Sequence, residues 1–166
     1  MRILGIDPGL NTTGYGIIQG SPGGLKLVEA GFIRTSAKDN LEKRLFKIHK
    51  ELTQIIQKHN PDAVVLEKLY AHYKHPVTAS LLGHARGIIC LACSQNNAPL
   101  FEYAATRTKK AILGRGNASK LQIQQMVLNQ LNLREKNSVP LDITDALSLA
   151  IAHSYIFKKD KVLKFQ

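Results

Sequence analysis

The stretch MRILGIDPGLNTTGYG, Met1 to Gly16, decides how this chain is read. Ile3, Leu4 and Ile6 make a short apolar run that ends in one carboxylate, Asp7, and Pro8-Gly9 then breaks it. Proline cannot donate to a strand ladder, so the strand is expected to stop there. Asn11, Thr12, Thr13 and Gly14 read as a small polar turn, and Tyr15, Gly16, Ile17 and Ile18 begin a second strand-like run. A carboxylate at the end of a buried strand is costly unless its charge is paired or binds a metal. Two readings follow. Asp7 opens onto a site held by a rigid strand, or it caps a hairpin turn, as Asp-Pro-Gly sequences do.

Working outward, residues 1–8, 13–20 and 25–34 read as three strands, with Gly20-Ser21-Pro22-Gly23-Gly24 as a strong turn signal between the second and third. Three consecutive strands with short links predict an antiparallel meander. Asp39 or Asn40 then caps a helix to about His59, whose apolar positions Leu41, Leu45, Ile48, Leu52, Ile55 and Ile56 follow the 3.6-residue period. Its other face, with Lys43, Arg44, Lys47 and Lys50, reads as solvated. Asn60-Pro61-Asp62 stops this helix, and Ala63-Val64-Val65-Leu66 is a short run typical of a strand buried on both faces. It ends in Glu67, so the pattern of Asp7 recurs. Neighbouring strands of this kind would bring the two carboxylates together.

Residues 68–76, KLYAHYKHP, read as a polar and aromatic loop. A helix is predicted from Val77 to about Gln95, with Ser80, Gly83 and Gly87 allowing close packing. Leu100–Tyr103 is a fifth strand, Thr106–Leu113 a short basic helix, and Ser119 caps a helix to about Leu131. After a polar linker over 132–139, Pro140 suits the first turn of a last helix running to about Phe157, and the basic tail 158–166 is expected to fray. The expected architecture is α/β: one domain over 1–157, a mixed five-stranded sheet flanked by helices.

The last helix opens Leu141-Asp142-Ile143-Thr144-Asp145. Residues three apart share a helix face, and acids in a first turn suit the helix dipole. Simple charge placement would explain them. However, the following Ala146-Leu147-Ser148-Leu149-Ala150-Ile151-Ala152 must be buried, which would anchor that turn against the sheet. The candidate constellation is therefore Asp7, Glu67, Asp142 and Asp145. Hard carboxylate oxygens with open positions suit Mg²⁺ or Mn²⁺, and two such ions can activate a water and stabilise a leaving oxygen in phosphodiester cleavage.

Composition points the same way. The 166 residues carry 23 Lys and Arg against 12 Asp and Glu, a net charge of +11. That excess suits a polyanionic partner. A basic protein that gathers four acids in one place reads as a nuclease whose walls bind phosphates. No secretory leader is recognisable before the first strand. The apolar segment Val77–Ala92 carries His84 and Arg86, so no membrane association is expected. Cys90 and Cys93 have C-x-x-C spacing but no second pair, and read as reduced packing residues of a cytoplasmic protein. His72 and His75, spaced H-x-x-H, lack further ligands for a zinc site. His153, two turns after Asp145, reads as a packing or supporting histidine.

GIDPGLNTTGYG, VVLEKLY, FEYAATRTKKAILGRGNASK and LDITDALSLAIAHS together resemble the RuvC Holliday junction resolvases, in order and over nearly the whole chain. The resemblance implies an RNase H-like fold, a homodimer, and paired symmetric nicks in a four-way DNA junction. It implies two Mg²⁺ ions per subunit, with Mn²⁺ as a substitute, held by Asp7, Glu67, Asp142 and Asp145, with Asp7 between both ions. It places Lys109 and Lys120 on DNA phosphates. Tyr70 stands where the family has an aromatic, often phenylalanine, thought to wedge against bases at the crossover. The hydroxyl is a departure, as are Lys68 and Leu69 beside it. The resemblance also suggests docking to the RuvA–RuvB branch-migration complex, for which the residues themselves carry no signal. The region from the last strand into the following helix, or the Val77–Gln95 helix, could form the dimer face; Ser80, Gly83, Ala85 and Gly87 favour the latter.

Two other readings compete. G-x-D-x-G-x-x-x-x-G also resembles the first phosphate loop of actin-like kinases, but the chain lacks room for their duplicated domain. A non-catalytic DNA-binding module would need only the charge, and leaves Glu67, Asp142 and Asp145 without a use.

Overall fold

The computed structural model describes residues 1–68, 76–133 and 139–164. Strands β1 (Arg2–Asp7), β2 (Thr12–Ser21) and β3 (Gly24–Arg34) form the antiparallel meander, followed by helix α1 (Leu41–His59). Strand β4 (Ala63–Glu67), helix α2 (Pro76–Gln95) and strand β5 (Leu100–Tyr103) come next, then helices α3 (Ala105–Leu113), α4 (Lys120–Gln130) and α5 (Leu141–Lys164). The strands make one sheet in the order β3-β2-β1-β4-β5. β1 is central, antiparallel to β2 and parallel to β4, and β4 is parallel to β5. This is the expected mixed five-stranded sheet.

Alternation along each strand sorts the side chains onto two faces. Leu4, Ile6, Ile17, Val64 and Leu66 point to the face covered by α1 and α2. Ile3, Ile18, Ala63, Val65 and Tyr103 point to the face covered by α3, α4 and α5. Ile3, Leu4 and Ile6 are fully buried, and each such side chain contributes about 1.5–3 kcal/mol by leaving water. β1 is thus apolar on both faces up to its last residue.

Local signals set the boundaries. Asn60 ends α1 in a left-handed conformation (φ 42°), its N–H bonded to the Ile56 carbonyl, a role asparagine fills when glycine is absent. Ser119 starts α4 through a reciprocal capping box with Gln122. Pro140 stands just ahead of α5 and not inside it, its carbonyl accepting from Ile143 and Thr144. Helix α5 continues to Lys164, past the expected end at Phe157. The segment KKDKVLK contains no glycine or proline to stop a helix.

Two expectations about α2 need correction. Gly83 and Gly87 do not serve close packing within the chain, since a Cβ at either would meet nothing within 4 Å. Ala85 does not face outward: it is fully buried with Ile89, Ala92 and Cys93 against the chain's own core. Cys90 and Cys93 are free thiols, and burial pushes the Cys93 thiol up to about 12.

A bare glycine platform governs how α5 lies on the sheet. A Cβ at Gly5 would fall 1.9 Å from the Ala146 carbonyl oxygen, and one at Gly14 2.4 Å from that of Asp142. At Gly16 it would strike the Leu147 side chain. Only glycine permits so close an approach of helix backbone to strand. The first two turns of α5 therefore lie nearly flush on β1 and β2, at the end of the sheet where Asp7 stands.

Candidate active site

Parallel register puts Ile6 of β1 opposite Leu66 of β4, so Asp7 and Glu67 are the next residues on adjacent strands. Both fall on the α5 face by alternation. The turn after Asp7 is stapled: the Thr13 hydroxyl, fully buried, donates to the Gly9 carbonyl at 2.7 Å. Thr35 and Asn11 hold the next residues through the Leu10 carbonyl and the Arg44 guanidinium.

Helix α5 supplies the other two acids. Asp142 lies over Gly14, the residue paired with Asp7 across β1 and β2. Asp145 sits one turn later and receives the Lys120 ammonium at 2.5 Å. Asp7, Glu67 and Asp145 line one cleft of about 370 Å³. Lys68, Arg86, Lys109 and Lys120 line it too, together with Thr108 and Ser148. Asp145, Asp142 and Glu67 all act on Asp7, with Asp142 beside the cleft and not among its lining residues. Lys109 and Lys120 stand on its wall. Tyr70, His72 and His75 lie outside the described residues.

The electrostatics show how crowded the acids are. Asp7 is raised to about 7, first by burial and then by Asp145, Asp142 and Glu67, with Lys120 opposing. Glu67 is raised by burial and by Asp145, against Lys109, Lys120 and Arg86. Lys120 is raised chiefly by its hydrogen bond to Asp145. Like charges in a partly dry cleft lack enough cation, so protons are retained.

The donor set fits a hard divalent cation: carboxylate oxygens only, on rigid elements, with an open cleft for water and phosphate. Among the described residues, no three His, Cys, Asp or Glu side chains converge tightly enough to hold a metal ion as they stand. The Lys120–Asp145 ion pair takes up one carboxylate of the set.

His153 is away from this chemistry. It is 1% exposed, its Nδ1 is 2.8 Å from the Tyr103 hydroxyl, and it packs against Phe101 with ring centroids 4.5 Å apart. Burial lowers its pKa. Of the two readings its spacing allowed, packing or supporting, these contacts are those of a packing histidine.

Sequence reasoning missed the glycine platform and Arg86. The platform's signal was present in Gly5, Gly14 and Gly16, whose two-residue spacing within strands puts Gly14 and Gly16 on one face. Arg86 was signalled by a lone cation inside the apolar run of α2.

Comparisons with known proteins give the family and the fold. The family model described as crossover junction endodeoxyribonuclease RuvC matches residues 3–153. A protein of that name from Rhodopirellula baltica is 46% identical over 154 residues, covering 93% of this chain and 86% of its own. Another from Caldicellulosiruptor saccharolyticus is 42% identical over 168 residues, covering 98% and 100%. Among solved structures, Thermus thermophilus RuvC superposes with a TM-score of 0.88 at 27% identity, covering 96% of this chain and 97% of that one. The yeast mitochondrial Holliday junction resolvase Ydc2 shares the fold, with a TM-score of 0.64 at 12% identity over 99% of this chain and 84% of its own. With its family model matched almost end to end and relatives above 40% identity over nearly the full length, the chain belongs to the RuvC family of crossover junction endodeoxyribonucleases.

Proposed function

We propose that this protein resolves four-way DNA junctions by paired, symmetric nicks, using Asp7, Glu67, Asp142 and Asp145 to hold Mg²⁺, two ions per subunit, with Mn²⁺ as a substitute. The observation that carries the reading is the meeting of Asp7 and Glu67, on adjacent parallel strands, with the acidic first turn of α5, inside a cleft walled by Lys68, Lys109 and Lys120. A Thermus thermophilus RuvC of the same fold is known in complex with a Holliday junction substrate.

In this reading Asp7, Glu67, Asp142 and Asp145 would hold cations whose chemistry would be to activate a water and stabilise the leaving 3′ oxygen. The chain's own residues do the rest. Asp7, rigid at the end of β1, faces both of the other acid-bearing elements. Lys109 and Lys120, on the cleft wall, hold backbone phosphates of the junction. Lys120, paired with Asp145 in this structure, would have to leave that carboxylate to do so. Tyr70 follows Glu67 by three residues, and we assign it to stacking on a base near the crossover. Residues 1–157 form the nuclease domain, to which the end of α5 adds Lys158 and Lys159.

A four-way junction has approximate two-fold symmetry, which a C2 dimer matches. Helix α2 is the face we assign to the dimer. Val77, Leu81 and Leu91 are 74%, 38% and 46% exposed, and Ser80, His84 and Gly87 share that outward stripe. Among the described residues α2 is also the helix whose length and hydropathy would suit a membrane span; an apolar face covered by a second copy explains the same composition.

The test is a labelled four-way junction and a linear duplex of the same sequence, each incubated with Mg²⁺. Symmetric nicks are expected in the junction alone. Asp7→Asn should bind the junction and cleave it on the order of 10³-fold more slowly. Full activity in Asp7→Asn, or cleavage in EDTA, would sink the assignment.

A further inference from the structure

Arg86 is the buried cation of α2, 9% exposed on the helix face that carries Ala85, Ile89, Ala92 and Cys93 into the core. A guanidinium taken out of water must have its donors used. One arm, Nη1, donates to the main-chain carbonyl of Glu67 at 2.6 Å. The other, Nη2, donates to the Glu102 carboxylate on β5. On the opposite side of the same peptide, the Lys68 N–H donates to the Tyr103 carbonyl at 2.8 Å. The Glu67–Lys68 peptide is therefore held from both ends, its oxygen by α2 and its nitrogen by β5. Glu67 and Glu102 lie opposite in sense: Glu67 projects to the α5 face, Glu102 to the α2 face. Arg86 reaches the Glu67 backbone from behind while also lining the cleft.

We propose that Arg86 is a positioning residue: by fixing the Glu67–Lys68 peptide from the α2 side, it sets where the Glu67 carboxylate stands in the cleft. The inference rests on the reading of the acids as a metal site. A fork with two fixed donors suits this task, because orienting a peptide needs direction as well as charge. Supporting partners of this kind typically change metal affinity by about 10–100-fold when removed. Glu102 holds the second arm and so sets the angle of the first.

The experiment is a Mn²⁺ titration of the DNA-free full-length protein, followed by spin resonance of free Mn²⁺, for wild type, Asp7→Asn, Arg86→Gln, Arg86→Lys and Glu102→Gln. Single-turnover junction cleavage and junction affinity in EDTA accompany it. Arg86→Gln should weaken Mn²⁺ about 10-fold and slow cleavage in step, with junction affinity unchanged. Arg86→Lys should recover part of both, since one ammonium reaches the carbonyl but lacks the fork. Glu102→Gln, at a side chain 40% exposed and so tolerant of change, should weaken Mn²⁺ less than Arg86→Gln; if Arg86→Gln fails to fold, this variant and Arg86→Lys carry the test. Wild-type Mn²⁺ affinity in folded Arg86→Lys and Glu102→Gln would overturn the proposal. So would a loss of junction affinity equal to the loss in rate with Mn²⁺ binding intact, which would make Arg86 a DNA contact. A wild type that takes no Mn²⁺, or an Asp7→Asn that binds it normally, would bring down the metal reading itself and this inference with it.

Discussion

Two carboxylates of this sheet, one on the edge strand β3 and one at the end of the central strand β1, have opposite fates. Glu29 of β3 accepts hydrogen bonds from Lys58 at 2.6 Å and Tyr15 at 2.9 Å, with the His59 ring nitrogen at 3.1 Å. Lys58 and the other donors hold it below the usual carboxylate range. Asp7 of β1 faces three further acids and only Lys120 opposes them, so it is raised to about 7. The first cluster is closed: every charge has a partner, and it ties β3 to α1. The second is left open on a cleft. Unrelieved repulsion on a rigid strand is what a cation site requires in advance of its cation, whereas a satisfied network has nothing left to bind with.

Stability measurements can break that contrast. The largest effect is expected at Asp7. Its folded pKa lies above its unfolded one, so it costs nothing at low pH and destabilises increasingly as pH rises from about 4 through about 7. At about 1.4 kcal/mol per pKa unit, Asp7→Asn should stabilise the metal-free protein by roughly 2–4 kcal/mol at pH 8. Denaturant melts in EDTA at pH 5 and pH 8 check this. A destabilised variant at pH 8 would mean that Asp7 is satisfied after all, and the contrast with Glu29 would disappear.

Glu29→Gln should do the reverse, costing about 1–2 kcal/mol at neutral pH through lost charge-assisted bonds. Because the folded pKa of Glu29 is lowered, its contribution is present above its unfolded value near 4.5 and fades as pH falls below that. Cleavage of a junction should be unchanged in this variant. If activity fell with stability intact, the Glu29 cluster would belong to the functional machinery.

The smallest effect comes from His153, whose burial lowers its pKa. The unfolded chain takes up a proton below about pH 6.5 while the folded one resists, so stability falls as pH drops through that value. In the wild type this runs against the trend from Asp7. Measured in an Asp7→Asn background, stability should fall as pH drops from 6.5, and His153→Gln should flatten that slope. An unchanged slope would place the protonation elsewhere.

The strands, their order in the chain and the acids at their ends were legible because each is a local pattern: an apolar run, a breaker, a charge. Ser119 and Asn60 were legible for the same reason. What local pattern could not supply was which surface each element meets. Gly14 read as part of a turn because nothing near it in sequence announces that α5, more than a hundred residues later, lies within reach of its missing Cβ. Ala85 and Gly87 both read as small residues on one helix, yet one is sealed in the core and the other is open to solvent. Arg86 looked like an argument against a membrane and is instead the tether of Glu67. The end of α5 was misplaced because basic composition was read as fraying where no breaker stands.

The parallel pairing of β1 with β4 has a consequence for how such a chain can change over generations. Asp7 and Glu67 share a face only because each stands at the same phase of a two-residue alternation, fixed by the pairing of Ile6 with Leu66. Substitutions at Ile3, Leu4, Val64 or Val65 alter packing by degrees. Insertion or deletion of one residue between Ile3 and Asp7 shifts the phase of the alternation and turns the carboxylate to the α1 and α2 side, away from Glu67 and α5. The sequence around the site can therefore drift in composition but not in length, and its descendants should differ by replaced letters, with gaps kept to the β2–β3 turn and the connections beyond the sheet.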